Sequence, residues 1–114
     1  MNETNSNYGE EAANDSVVPR VSVLMSVYNG TFYLRESVQS ILDQTFQNFE
    51  FIIINDGSTD NTQKILEGFS DSRIRIFTQP NSGLTKALNR GLKFCRGEFI
   101  ARMDADDLSM PERL

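Results

Sequence analysis

A chain of 114 residues, 39% hydrophobic and 24% charged, has the composition of one small globular domain. Histidine is absent and Cys95 is the only cysteine, which excludes Ser-His-Asp and Cys-His catalysis, His-ligated zinc, Cys-cluster metal sites and an intrachain disulfide. The formal net charge of -5 argues against nucleic acid as a partner, and no stretch reaches membrane-spanning length.

Residues 1–19 are rich in Asn, Ser and Glu, with almost nothing to bury, and read as a disordered polar tail. The opening residues lack the basic and apolar regions of a signal peptide, so the expected location is cytoplasmic, including the cytoplasmic face of a membrane. From Val21 the pattern changes. Val21 to Val27 is a β-rich run closed by Tyr28-Asn29-Gly30. Leu34, Val38, Ile41 and Leu42 then recur at helical spacing. Phe49 to Ile54 is a second strand, closed by Asn55-Asp56-Gly57. Asp60-Asn61-Thr62-Gln63 has the spacing of a capping box, opening a helix that carries Ile65, Leu66 and Phe69. Arg73 to Phe77 alternates as a third strand, and its arginines suggest a sheet edge. A stripe from Leu84 to Cys95 predicts a helix that stops at Gly97, and Glu98 to Met103 makes a fourth strand. Core packing explains the apolar residues of these stripes, Cys95 among them.

The order β-α-β-α-β-α-β, with right-handed crossovers, predicts an α/β, Rossmann-like open parallel sheet with helices on both faces. With a strand order of 3-2-1-4, ligands belong in the crevice at the carboxyl ends of the strands. Three polar clusters fall there: Tyr28-Asn29-Gly30, Asp56-Gly57-Ser58 and Asp104 to Asp107. Three carboxylates in four residues repel unless a cation sits among them, and Mg²⁺ or Mn²⁺ bridging a phosphate ester suits a short Asp-x-Asp at a strand end. An acidic surface loop is the ordinary alternative.

For a nucleotide ligand, Asp106 would ligate the metal and Asp104 would reach ribose hydroxyls. Asp56 would accept from N3–H of uracil or thymine, and Tyr28 would stack on the base. A turn-forming Asp and a loop aromatic are the alternatives for the last two. Neither G-x-G-x-x-G nor a P-loop occurs, which counts against dinucleotide oxidoreductases and P-loop kinases. Metal-held phosphate leaving as a diphosphate is transferase chemistry.

Val21 to Gly30, Ser40-Ile41-Leu42-Asp43-Gln44-Thr45, Asn55 to Asp60, Asn81-Ser82-Gly83 with Ala87-Leu88-Asn89-Arg90-Gly91, and Met103 to Asp107 together resemble the amino-terminal half of a family 2 glycosyltransferase, across residues 21–114. The resemblance implies a GT-A fold, a metal-dependent nucleotide-sugar donor, a glycan or lipid-linked acceptor, inversion at the anomeric carbon and a role in polysaccharide biosynthesis, and the base contact read for Asp56 makes that donor UDP- or dTDP-type. It implies donor contacts at Tyr28, Asp56 and Lys86, ribose contact at Asp104, metal ligation at Asp106 and a place near the nucleotide for Glu36. A solvated helical lysine is the alternative for Lys86.

Family members continue past Asp-x-Asp with acceptor-binding elements and a carboxylate base. Residues 20–114 are therefore expected to be the donor-binding half of such a domain, truncated after the motif, with no catalytic residue in the chain and no activity on its own. A non-catalytic nucleotide-binding module is the rival reading. A Mg²⁺-dependent phosphotransfer domain is a third, disfavoured because Tyr28-Asn29 stands where its nucleophilic Asp would follow the first strand.

Overall fold

The computed structural model describes residues 18–114, so the polar tail expected over residues 1–19 falls almost wholly outside it. Strand β1 (Val21–Val27) lies between β2 (Phe49–Asp56) and β4 (Phe99–Arg102), and β3 (Ile74–Gln79) adds outside β2. Every pairing is parallel and the order is β3-β2-β1-β4, the 3-2-1-4 arrangement expected from the sequence.

The sheet is central because its strands carry apolar side chains on both faces, and β2 is buried at all eight positions. On one face Val23, Met25, Phe51 and Ile53 pack with Leu34, Val38 and Ile41 of helix α1 (Leu34–Leu42) and Leu66 of α2 (Thr62–Glu67). On the other, Leu24, Ile52 and Ile54 meet Ala87 of α3 (Leu84–Leu92). Each of these Val, Leu, Ile, Phe and Met side chains contributes about 1.5–3 kcal/mol by leaving water. Helix α3 rides close to the sheet because Gly91 faces it: a Cβ there would lie 2.4 Å from Leu24 Cδ1. No described helix is long and apolar enough to cross a membrane.

Three local expectations change. The capping box does not form. Asp60 Oδ1 accepts from the N–H and hydroxyl of Thr62, while Gln63 Oε1 accepts from Asn55 Nδ2 and Thr78 Oγ1 instead of turning back to cap the helix. Helix α2 ends at Glu67, where Gly68 and Phe69 donate their N–H groups to carbonyls three residues back, which places Phe69 in a tightened closing turn. Helix α3 ends at Leu92. Lys93, Phe94 and Cys95 donate to carbonyls three residues back in a tightened last turn, and half-buried Cys95 packs on the α3-side core.

At the amino-terminal end of the sheet, Glu50 is 3% exposed within the second strand. Its carboxylate accepts from Ser22 Oγ at 2.6 Å, Arg96 N at 2.7 Å, Arg96 Nε at 3.0 Å and Arg75 Nη1 at 3.2 Å. The network ties β1, β2, β3 and the approach to β4 together at the end remote from the polar loops.

Candidate functional site

Parallel pairing places three loops on one rim. Val27 is in register with Asn55 and Leu24 with Arg102, so Tyr28 and Asp56 leave adjacent strands side by side. On the other side of β1, Met103 donates its N–H to Leu24 O at 3.0 Å, and the acidic run begins one residue later. Neighbouring strands lie about 4.8 Å apart, so the rim from β2 to β4 spans about 10 Å.

The first two loops are stitched together. Asn29 has φ 53°, a left-handed conformation that asparagine tolerates. It donates its N–H to Ser58 Oγ at 2.9 Å, and its Oδ1 accepts from Thr59 N at 2.8 Å. Gly30 N donates to Thr62 Oγ1, and Thr31 donates N–H and hydroxyl to Asp60 Oδ2. Burial pushes the Asp60 carboxyl up, but the hydrogen bonds from Thr31 and Thr62 outweigh it and hold its pKa at about 2. Tyr28 stands out of this clasp, 49% exposed.

The acidic run is shaped by alternation. Met103 and Ala105 are buried in the α1-side core, which leaves Asp104 and Asp106 exposed on the other side of the backbone. Asp104 N donates to Asp107 Oδ2 and Asp107 N to Asp104 O, each at 3.0 Å, closing a tight turn. One carboxylate oxygen from each of Asp104, Asp106 and Asp107 lies within 4.8 Å of the others. Arg102 Nη2 reaches Asp104 Oδ1 at 3.3 Å, an exposed pair that offsets only part of this charge. An all-oxygen, triply acidic set of this kind fits a hard divalent cation such as Mn²⁺ or Mg²⁺.

The segment after the run is moored by residues that sequence reasoning left without a role. Ser40 Oγ accepts from Ser109 N, fully buried Gln44 donates to Met110 O at 2.6 Å and accepts from Leu114 N at 2.9 Å, and Thr45 N donates to Pro111 O. These partners are about 66 to 70 residues apart in sequence, a separation no local pattern encodes.

Asp56 is the most constrained of the expected site residues. It is 2% exposed. Its Oδ1 accepts from Gln79 Nε2 and Ser82 N, both at 2.9 Å, and from Ser82 Oγ at 3.2 Å. Its Oδ2 accepts from Gly83 N at 2.9 Å and Asn81 Nδ2 at 3.3 Å. Burial pushes its pKa up, but the Gln79, Ser82 and Gly83 donors prevail and keep it below the usual carboxylate range. Gly57, at φ 74°, permits this closure: a Cβ there would lie 2.4 Å from Asn81 N. Glu36, on the first turn of α1, and Lys86, on the first turn of α3, are both exposed. Thus Tyr28, Asp56, Asp104 and Asp106 come from three adjacent strand ends, while Glu36 and Lys86 sit on the helices leading away from that rim.

A family model described as Glycosyl transferase family 2 matches residues 22–114. An uncharacterized glycosyltransferase of Haemophilus influenzae is 48% identical over 96 residues, covering 82% of this chain and 30% of that protein. Among solved structures, Staphylococcus aureus TarS residues 1–349 in complex with UDP superposes with a TM-score of 0.77 at 33% identity, over 82% of this chain and 29% of that one. The mannosyltransferase PcManGT from Pyrobaculum calidifontis, in complex with GDP-Man and Mn²⁺, gives a TM-score of 0.71 at 26% identity, over 80% of this chain and 28% of that one. The chain spans less than a third of the length of these relatives, and its open sheet has the GT-A-like arrangement they share.

Proposed function

The chain belongs to glycosyl transferase family 2, and on that premise we propose that residues 20–114 form the donor-binding part of a transferase that moves a sugar from a UDP- or dTDP-type donor to a glycan or lipid-linked acceptor. The observation that carries this reading is the single rim on which an exposed aromatic, a carboxylate locked beside it and a three-carboxylate cluster are set within two strand spacings.

In this reading Tyr28 stacks on the base, Asp56 accepts from N3–H of uracil or thymine, and Asp104 takes a ribose hydroxyl. Lys86 and Glu36 approach the donor from the first turns of α3 and α1. Asp106, with Asp107 beside it, holds Mn²⁺ or Mg²⁺, which when bound neutralises charge on the leaving diphosphate. The buried Met103 and Ala105 keep the carboxylates aimed outward, and the Ser40, Gln44 and Thr45 moorings hold the segment behind them. Inverting transfer needs a general base, assigned to elements that accompany this domain in the longer relatives. Structural neighbours in complex with UDP, and with GDP-Man and Mn²⁺, support a nucleotide-diphosphate donor and a metal.

Paramagnetic line broadening tests the reading. Mn²⁺ added with UDP should broaden the amide signals of residues 104–107 most, with Tyr28 and Asp56 affected and Gln47, Asn48 and Arg96 at the opposite end of the sheet unchanged. Uniform broadening, or broadening centred elsewhere, would contradict it.

A further inference from the structure

The five donors on Asp56 are not equivalent. Gln79 is in register with Asp56 across the β2–β3 pairing, and its side chain has a fixed sense. Arg90 of α3 donates Nη1 to Gln79 Oε1 at 2.9 Å. A guanidinium only donates, so the Gln79 carbonyl must face Arg90 and its amide must face the rim. There Nε2 meets Asp56 Oδ1 at 2.9 Å and Ser82 Oγ at 2.7 Å. Flipping the amide would set two donors against each other at Arg90 and two acceptors against each other at Asp56.

With Gln79 Nε2, Ser82 N and Ser82 Oγ all on it, Oδ1 is committed to the protein. Oδ2 holds one firm partner, Gly83 N at 2.9 Å, and one loose one. Asn81 Nδ2 is shared between Oδ2 at 3.3 Å and the Asp56 carbonyl at 3.1 Å. Asn81 is exposed and keeps the carbonyl as a partner when it gives up Oδ2. A carboxylate oxygen accommodates about two strong donors, so Oδ2 is the oxygen that an incoming N–H can take.

We propose that Arg90 and Gln79 are positioning residues for base recognition: through one directed amide they pin Oδ1 of Asp56 and leave Oδ2, loosely held by Asn81, to accept an imide N–H of a uracil or thymine nucleotide. The inference rests on the base-reading role given to Asp56 above. Neither residue needs to touch the nucleotide.

The test is calorimetric titration of the 114-residue chain with UDP and with CDP, both in Mn²⁺, for wild type, Arg90→Leu, Arg90→Lys and Gln79→Glu. Wild type should prefer UDP. Arg90→Leu should lower that preference about tenfold, acting on UDP and scarcely on CDP. Arg90→Lys, which still donates to Gln79 Oε1, should recover most of it. Gln79→Glu keeps the shape and the Arg90 contact but turns an acceptor toward Asp56, and should abolish the preference. Thermal melts of all four report folding, and a fold defect alone would weaken both nucleotides equally. A wild-type preference left intact in Arg90→Leu and Gln79→Glu would overturn the positioning role while leaving base reading by Asp56 in place. No preference in wild type would overturn base reading itself, and the positioning role with it.

Discussion

At the scale of single residues, the polar groups that matter most are those whose partners lie far away in sequence. Glu50 is the clearest case. On sequence it is one polar position in an apolar strand run, yet it accepts from Ser22, Arg75 and Arg96, up to 46 residues distant. Burial raises the Glu50 pKa, but the Ser22 hydroxyl, the Arg96 backbone and side-chain hydrogen bonds and the Arg96 charge outweigh it and leave it lowered from 4.5. A carboxylate with a depressed folded pKa binds fewer protons folded than unfolded. Its contribution is therefore complete above 4.5 and lost as pH falls through the folded value. Glu50→Gln should cost roughly 3 kcal/mol at pH 7, toward the low end for breaking a buried pair because the two arginines are partly exposed. Urea unfolding of wild type and variant at pH 7 and pH 3.5 checks this, since the gap between them should narrow at the lower pH. A gap independent of pH would show that the charge of Glu50 is not what stabilises. The same logic explains why Asp104 and Asp106 were legible in the sequence and Gln79 was not: an acidic run carries its own signal, whereas Gln79 acquires a role only through Asp56 and Arg90.

At the scale of elements, the two central strands were the most readable, because a strand apolar on both faces has few other places to go in a small domain. The β3–α3 connection was not readable in the same way. Its shape depends on Asp56 and on Gly57, whose φ of 74° and lack of a Cβ let Asn81 pass at close range. Gly57→Ala should therefore destabilise by about 1–3 kcal/mol from backbone strain, with added displacement of residues 81–83. Chemical shift changes spreading from residue 57 into 79–83, together with a lowered unfolding midpoint, are the expected result. A variant as stable as wild type with unmoved loop resonances would show that the close approach is not required. The failed capping box has a similar origin: Asp60 is drawn to Thr31 and Thr62 by the clasp between loops, and Gln63 to Asn55 and Thr78. A local pattern fixes the capping contacts only when no tertiary partner competes for the capping groups; the helix itself still begins at Thr62.

At the scale of the whole molecule, the sheet divides the work between its two ends. The amino-terminal end is closed by the Glu50 network, and the carboxyl-terminal end carries Tyr28, Asp56 and the acidic cluster in a row set by strand order alone. In that order the chain reverses direction across the sheet between β1 and β4, which explains why residues almost eighty positions apart lie on one rim. The three carboxylates sit within 4.8 Å of one another, with the exposed Arg102 pairing Asp104 alone among the described residues, an arrangement that a divalent cation relieves. The most direct test is isothermal titration of UDP into the chain with Mn²⁺ and with EDTA, repeated for Asp106→Asn, which removes one formal charge from the cluster and little volume. UDP should bind in Mn²⁺, lose at least tenfold in affinity in EDTA and lose as much in Asp106→Asn with Mn²⁺ present. Equal UDP affinity under all three conditions would contradict the account.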